Sequence, residues 1–338
     1  MKRRVLKGVA LLVLTGCVAL SAHDTSAVFV SRSVYLMGTR AQLSTYAATR
    51  DSGLAILESA LEAIEDTEEE LSTWRQSSQI SALNRHPVGE PWTATPRLCR
   101  MFVDVWEWHR ATDGAFDPAI GRLLAAWDIH GEGAVPGPEA HPRALASSGM
   151  ALLALDRVRC TLTRLADVAM DVGAFGKGEA LDRAAAVLGD GPWMIDIGGQ
   201  IAVGGRVPGQ GAWRIEVADP RRRDRPVLQV QMATGSLSTS AGSERDLVVN
   251  GVRVGHVLDP RTGRPATFDG SVTVWHERGM TADVLSTALY VMGPVEGLRW
   301  AEARGIAACY LIPERGTLRV EMTRAFRRLL SSAATGLG

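Results

Sequence analysis

The chain has 338 residues, 46% of them apolar and 22% charged. That suits one large folded domain or two closely joined halves, and excludes a disordered or fibrous chain. Lysine plus arginine and aspartate plus glutamate number 37 each, so the net charge is near zero and the basic field that general nucleic-acid binding needs is missing. Runs such as Arg221-Arg222-Arg223 and Arg327-Arg328 read as solvated faces.

Lys2, Arg3, Arg4 and Lys7 precede an apolar run at 9–14 that is too short to span a bilayer. Leu14-Thr15-Gly16-Cys17 follows and resembles the lipobox of bacterial lipoproteins, in which the signal is cut before the cysteine and its thiol is acylated. Residues 1–17 therefore read as an export signal and 18–32 as a polar tether. The expected location is the periplasmic side of the inner membrane, held by a lipid anchor. Cleavage near Ala22 or Ala27, giving a soluble periplasmic protein, and twin-arginine export through Arg3-Arg4 remain alternatives. With Cys17 acylated, Cys99, Cys160 and Cys309 are left, widely spaced and without a CxxC pair. A metal cluster does not fit. One disulfide with one buried thiol, or three buried thiols, both do.

The folded part is expected to begin with a strand at 34–39, and a second strand follows at 41–47. Asp51-Ser52 can cap a helix whose apolar face is Leu54, Leu57, Leu61, Ile64 and Leu71, with Glu68-Glu69-Glu70 as its solvated face. The hydroxyl-rich loop 72–84 carries Trp74, a flat surface for an aromatic ligand or part of an ordinary capped helix start. A helix at 96–111 ends at Thr112-Asp113-Gly114, and Ala115-Phe116-Asp117-Pro118 leads into a short helix at 120–127 that Asp117 can cap. Residues 128–141 are Gly/Pro-rich and read as a surface excursion; strands are expected at 152–158 and 160–165.

The stretch 170–205 carries the strongest chemical signal. Asp171 precedes a glycine-punctuated turn that holds Lys177, a helix runs over 178–188, and a strand at 193–197 meets Gly198-Gly199. A lysine beside a glycine-rich helix start supplies backbone N–H groups, a helix dipole and a point charge, which points to a phosphate-bearing ligand. A P-loop is excluded because Gly178 follows Lys177, and a Rossmann fingerprint because Ile197-Gly198-Gly199-Gln200 has the wrong spacing.

Strands are expected at 213–218, 227–232, 247–249 and 252–258, the last two joined by an Asn250-Gly251 hairpin, so antiparallel sheet dominates this half. His256 opens a polar loop, Asp259-Pro260-Arg261-Thr262-Gly263, at a sheet edge. After a strand at 272–275, a helix opens near Thr281. Its Asp283 and Thr287 lie four apart on one face, either a capped helix with a threonine bonded back to its backbone or two oxygen ligands for Mg²⁺. A strand at 307–312, a basic helix and a loose tail close the chain.

Six blocks occur in an order that resembles the ApbE family, the bacterial FAD:protein FMN transferases. They are Met37-Gly38-Thr39; Leu71-Ser72 through Asn84; Gly114 to Pro118; Met170 to Gly178 with Asp182; Ile197-Gly198-Gly199; and His256 to Gly263 followed by Ala282-Asp283 to Thr287. The resemblance implies an α+β fold of mostly antiparallel sheets with flanking helices, in two joined halves with a ligand cleft between them. It places the transferase domain at 33–325 and a tail at 326–338. It implies an enzyme that uses Mg²⁺, splits FAD, attaches FMN by a phosphoester to a threonine or serine of a partner flavoprotein and releases AMP. Partners implied are the flavoprotein subunit of a membrane redox complex, Rnf/Nqr-like or of nitrous-oxide respiration. By position, Asp283, Thr287 and the Ala174 carbonyl are expected to hold the metal. Met37, Trp74, Ala115, Phe116, Asp117, Asp171, Lys177, His256 and Val257 are expected to contact FAD, with Asp283, His256 and Lys177 in the chemistry. A periplasmic FAD pyrophosphatase and a non-catalytic flavin-binding lipoprotein are the alternatives. The segment 240–249 departs from the family pattern, which leaves acceptor choice open.

Overall fold

The computed structural model describes residues 27–242, 247–249 and 252–330. The export signal, the Asn250-Gly251 turn and the tail from 331 lie outside the described residues. An eight-stranded sheet forms the frame, in the spatial order β1 (Val28–Leu36), β2 (Thr39–Ala47), β6 (Trp193–Ile197), β7 (Gln200–Gly204), β10 (Gly235–Ala241), β15 (Ser271–His276), β16 (Ala307–Glu314) and β17 (Thr317–Met322). Every pairing in it is antiparallel, as the α+β reading expects.

One face of this sheet carries α1 (Arg50–Leu71), α6 (Gly176–Leu188) and α7 (Gly279–Ala303). Leu57, Leu61 and Ile64 of α1 meet Ala180, Leu181 and Ala184 of α6 over Leu43, Ile195 and Ile197 of the sheet. The other face is closed by the hairpin β8 (Trp213–Asp219) and β9 (Arg222–Met232), with Phe326 of the one-turn α8 (Arg324–Arg327) fully buried beside it. A second lobe packs α2 (Gln79–Arg85) and α3 (Pro96–Ala111) around the small sheet β3 (Pro91–Thr93), β5 (Thr161–Arg164) and β4 (Leu153–Asp156). Two further helices, α4 (Gly121–Ala126) and α5 (Ala140–Ala146), and the two-stranded pairs β11 (Leu247–Val249) with β12 (Val252–Val254) and β13 (Leu258–Asp259) with β14 (Arg264–Pro265) complete the fold. No helix among the described residues is long and apolar enough to cross a membrane.

Helix α7 is where the two bodies meet. Met280, Val284 and Ala288 belong to the core of the second lobe, while Leu285, Leu289 and Tyr290 belong to the core on the large sheet. A helix apolar on all sides is buried on all sides, and this one stays so until Gly293-Pro294 breaks it, with Gly293 at φ 73°.

Several boundaries differ from the sequence reading. The sheet starts at Val28, inside the expected tether 18–32, because Val28 to Ala47 pair along the whole of β1 and β2. Helix α1 is capped by Thr49, not Asp51-Ser52: the Thr49 hydroxyl accepts from the Ser52 amide at 3.1 Å and Ser52 answers in a capping box. Glu70 is not solvated, since it pairs with the buried Arg183 of α6 at 2.7 Å. The basic carboxy-terminal helix is mostly strand β17, whose Thr317 to Met322 alternate with period two. The expected tail from 326 starts inside the fold, because Phe326 is buried and Leu330 bridges to Val230. Cys99 and Cys160 form a disulfide that ties α3 to the start of β5, and Cys309 is the buried thiol, which burial pushes up to about 12.

Candidate functional site at the crossing of two helices

Helices α6 and α7 cross through glycines. A Cβ on Gly178 would stand 2.3 Å from the Gly279 carbonyl oxygen, and one on Gly279 would stand 2.8 Å from that of Gly178. Two backbones can touch here only because neither residue has a side chain. The contact sets Asp283, one turn into α7, against the first turn of α6.

Asp283 is buried, and both oxygens of its carboxylate have partners. Oδ2 accepts the Gly178 amide at 3.1 Å, Lys177 Nζ lies 3.5 Å from Oδ1, and the Ser238 hydroxyl of β10 donates to Oδ1 at 3.4 Å. Ser286 extends the network, 3.1 Å from Ser238 Oγ and 2.9 Å from Ser240 Oγ. The Gly178 amide is the one that an unbroken helix would direct to the Ala174 carbonyl, four residues earlier. Its loss to Asp283 leaves the Ala174 carbonyl without a donor among the described residues.

A carboxylate, neighbouring hydroxyls and a released carbonyl are the oxygen donors that a hard cation prefers. No group of three or more His, Cys, Asp and Glu suited to a metal occurs among the described residues. The predicted set has a single carboxylate, which matches the way Mg²⁺ binds through one or two carboxylates together with substrate phosphates. Thr287 Oγ1 donates to the Asp283 carbonyl at 3.2 Å, so the back-bonded threonine of the simpler reading is the arrangement present.

The phosphate-cradle reading of 170–205 needs two corrections. The Gly176 amide donates to the Val172 carbonyl at 2.7 Å and that of Gly178 to Asp283, so these helix-start donors are already used. Gly198-Gly199 is a two-residue hairpin turn between β6 and β7, with φ 59° and 88° and Ile197 opposite Gln200. Lys177 remains the cation beside the acid.

The start of α7 is held from α6 and β7. Asp182 accepts the Gly279 and Met280 amides, the latter at 3.0 Å, and the Gln200 amide nitrogen donates to the Gly279 carbonyl at 3.0 Å. Burial pushes the Asp182 carboxyl up to about 6 despite those two amides.

The other expected residues divide into two sets. Met37, at φ 51° in the β1–β2 turn, reaches the start of α6, its Cε 4.0 Å from where a Cβ on Gly176 would lie. Asp171 accepts the Gly173 amide at 2.7 Å, and its other oxygen lies 3.4 Å from His130 Nε2. The Asn84 side chain brackets Met170 with two 2.8 Å hydrogen bonds and fixes the approach to Asp171. Trp74 is 70% exposed, with the His130 ring edge-on at 4.9 Å. By contrast Ala115, Phe116 and Asp117 are buried. Asp117 does not cap α4, whose Ile120 N-cap has no side-chain bond; it accepts the Ala119 and Met150 amides at 2.8 and 2.9 Å and lies 3.3 Å from His109. Burial raises its carboxyl above the usual range. His256 and Val257 are half-buried, and the Val257 carbonyl accepts the Ala266 amide at 2.8 Å.

Ser238, Ser286, Gly279 and His130 were not singled out from the sequence. The segment around Ser238 carries no expected element in the sequence, and His130 sits in the expected excursion. The alternation of Ser236, Leu237 and Ser238 was the one available signal.

A family profile described as the ApbE family matches residues 37–310. The protein named FAD:protein FMN transferase from Vibrio cholerae is 28% identical over 282 residues, covering 79% of this chain and 82% of the relative. Among solved structures, the ApbE protein of Thermotoga maritima superposes with a TM-score of 0.83 at 28% identity, covering 90% of this chain and 100% of the other. The flavin transferase ApbE of Vibrio cholerae gives 0.79 at 26% identity, covering 90% of this chain and 100% of the other.

Proposed function

The chain belongs to the ApbE family, and from that membership we propose that it is a Mg²⁺-dependent FAD:protein FMN transferase. In the proposed reaction the hydroxyl oxygen of an acceptor threonine or serine attacks the FMN phosphorus of FAD. The pyrophosphate P–O bond to AMP breaks, AMP leaves with the bridging oxygen, and a protein base takes the hydroxyl proton. The observation that carries this reading is the Asp283 carboxylate set beside Lys177, with the Ala174 carbonyl released from helix bonding.

Asp283, Thr287 and the Ala174 carbonyl would hold Mg²⁺, which when bound would neutralise charge growing on the leaving phosphate. Lys177 supplies a fixed positive charge for the phosphates at no cost of reorganisation. Ser238 and Gly178 orient the Asp283 carboxylate. Trp74 offers its exposed ring to a planar ligand, Met37 reaches the start of α6, and Asp171 holds the Gly173 amide just before it. Asp283 and His256 are the two candidates for the proton acceptor.

Mixing the purified protein with FAD, Mg²⁺ and an acceptor domain should give a covalently flavinylated, fluorescent band and one AMP per flavin. FMN released equally without acceptor would instead favour an FAD pyrophosphatase. FAD binding with no AMP would leave a non-catalytic flavin carrier. We further propose that Cys17 is acylated and holds the enzyme on the periplasmic face of the inner membrane, near the flavoprotein subunit of a membrane redox complex. Cys17→Ser should then move the protein from the membrane fraction to the soluble periplasmic fraction.

A further inference from the structure

Residues 128–141, which read as a surface excursion, begin with a closed turn and are tied down at both ends. The Ala134 amide returns to the Trp127 carbonyl at 2.8 Å, and the Gly131 and Glu132 amides donate to the carbonyl and the carboxylate of Asp128, each at 3.0 Å. Asp128 takes the left-handed conformation, at φ 46°, that closes this turn. Both ends are tied to one point: Trp127 Nε1 donates to the Gly263 carbonyl at 2.8 Å, and His141 Nε2 lies 3.1 Å from the same oxygen. Ile129 packs into the small core that holds Leu258 and Trp127. The next residue, His130, therefore starts from a fixed backbone.

From there His130 touches two residues that are far apart in sequence. Its Nε2 lies 3.4 Å from Asp171 Oδ2, and its ring stands edge-on to Trp74 at 4.9 Å and 72°. The remaining Asp171 oxygen is filled by the Gly173 amide at 2.7 Å. Imidazole and amide together thus fix the carboxylate, while the indole is touched by the imidazole on one side and stays 70% exposed. A flat open ring beside an oriented acceptor suits a planar heteroaromatic ring that carries an N–H donor. Adenine and isoalloxazine both have that chemistry.

We infer that His130 is a positioning residue for FAD, holding Asp171 and Trp74 in the arrangement that receives one of its two ring systems. This rests on the transferase reading and adds to it a residue outside the six family blocks. The 127–134 turn becomes a wall of the ligand site, anchored to the Asp259–Gly263 loop through Gly263.

The test is FAD binding followed by flavin fluorescence, with thermal melts as a check on folding. His130→Ala should weaken FAD binding about tenfold, the scale of a lost hydrogen bond to a charged group, and leave turnover at saturating FAD within about twofold. His130→Gln, whose amide can stand where Nε2 stands, should recover binding to within about threefold of wild type. In an Asp171→Asn background the effect of His130→Ala should fall below about threefold, the remainder being carried through Trp74. FMN and AMP titrations identify the ring: one of them should weaken alongside FAD. Unchanged FAD affinity in His130→Ala, no loss for either FMN or AMP, or a full tenfold loss in the Asp171→Asn background would each overturn the inference while leaving the transferase reading intact. A wild-type protein that binds no FAD would overturn both.

Discussion

The proposed site has a floor and a rim that are built by different rules. The floor, Lys177, Gly178, Ser238, Asp283 and Ser286, comes from two helices and a central strand, and the Asp283 carboxylate has three partners. The rim, Met37, Trp74, His130 and Asp171, comes from turns and loops, and its aromatic is 70% exposed. Buried polar groups need every partner in place, so the floor admits little change. Exposed groups on loops can be altered with little effect on the fold. The floor should therefore govern the chemical step and stability together, and the rim should govern affinity alone.

The strongest attempt to break this division is Asp283→Asn, which keeps the shape and removes the charge. Flavinylation at saturating FAD and Mg²⁺ should fall by about a hundredfold or more, the cost of removing one preorganised electrostatic group, while FAD binding changes little. An equal loss of FAD affinity would place Asp283 with the rim instead. Next is Gly178→Ala, whose Cβ would meet the Gly279 carbonyl oxygen at 2.3 Å. Forcing the helices apart should cost about 1–3 kcal/mol in urea unfolding and reduce activity as well, since α7 carries Asp283. A silent Gly178→Ala would show that the crossing is slack.

Asp182 sharpens the comparison through pH. Its carboxyl is raised to about 6 in the fold, above the ordinary value of about 4. The folded state therefore holds a proton that the unfolded chain has already released, and the stabilisation is complete below pH 4 and lost as pH rises through 6. Asp182→Asn cannot ionise, so urea melts at pH 4 and pH 7 should show the wild type losing up to about 3 kcal/mol relative to the variant. Parallel pH curves for the two proteins would contradict this. The smallest effect on the fold belongs to the rim. Trp74→Ala should raise the KM for FAD about tenfold, Trp74→Phe should leave it within about threefold, and both should melt within about 0.5 kcal/mol of wild type.

Much of this organisation was legible in the chain. Strong periodicity placed α3 at Pro96–Ala111 and β6 at Trp193–Ile197 to the residue. Strands β10 and β17 were lost, the first because serines and threonine alternate with few apolar residues, the second because arginine and glutamate made it look like a charged helix. Both lie in the large sheet, where pairing on two sides or at an edge supplies what local propensity lacks.

The sequence by itself determined the family and the antiparallel α+β class, and it supplied the candidates for the site: a lysine at a glycine-rich turn, an acid and a threonine four apart, and a tryptophan in a hydroxyl-rich loop. These depend on local spacing and on the order of motifs, which a linear chain carries in full. Only the tertiary structure decided that Gly178 and Gly279 touch, that the Gly178 amide leaves Ala174 for Asp283 105 residues away, and that His130 stands on Asp171. Such contacts join segments whose separation has no sequence period. They exist because burying apolar surface on both sides of α7 brings the two bodies together, and the polar groups trapped there must then find one another.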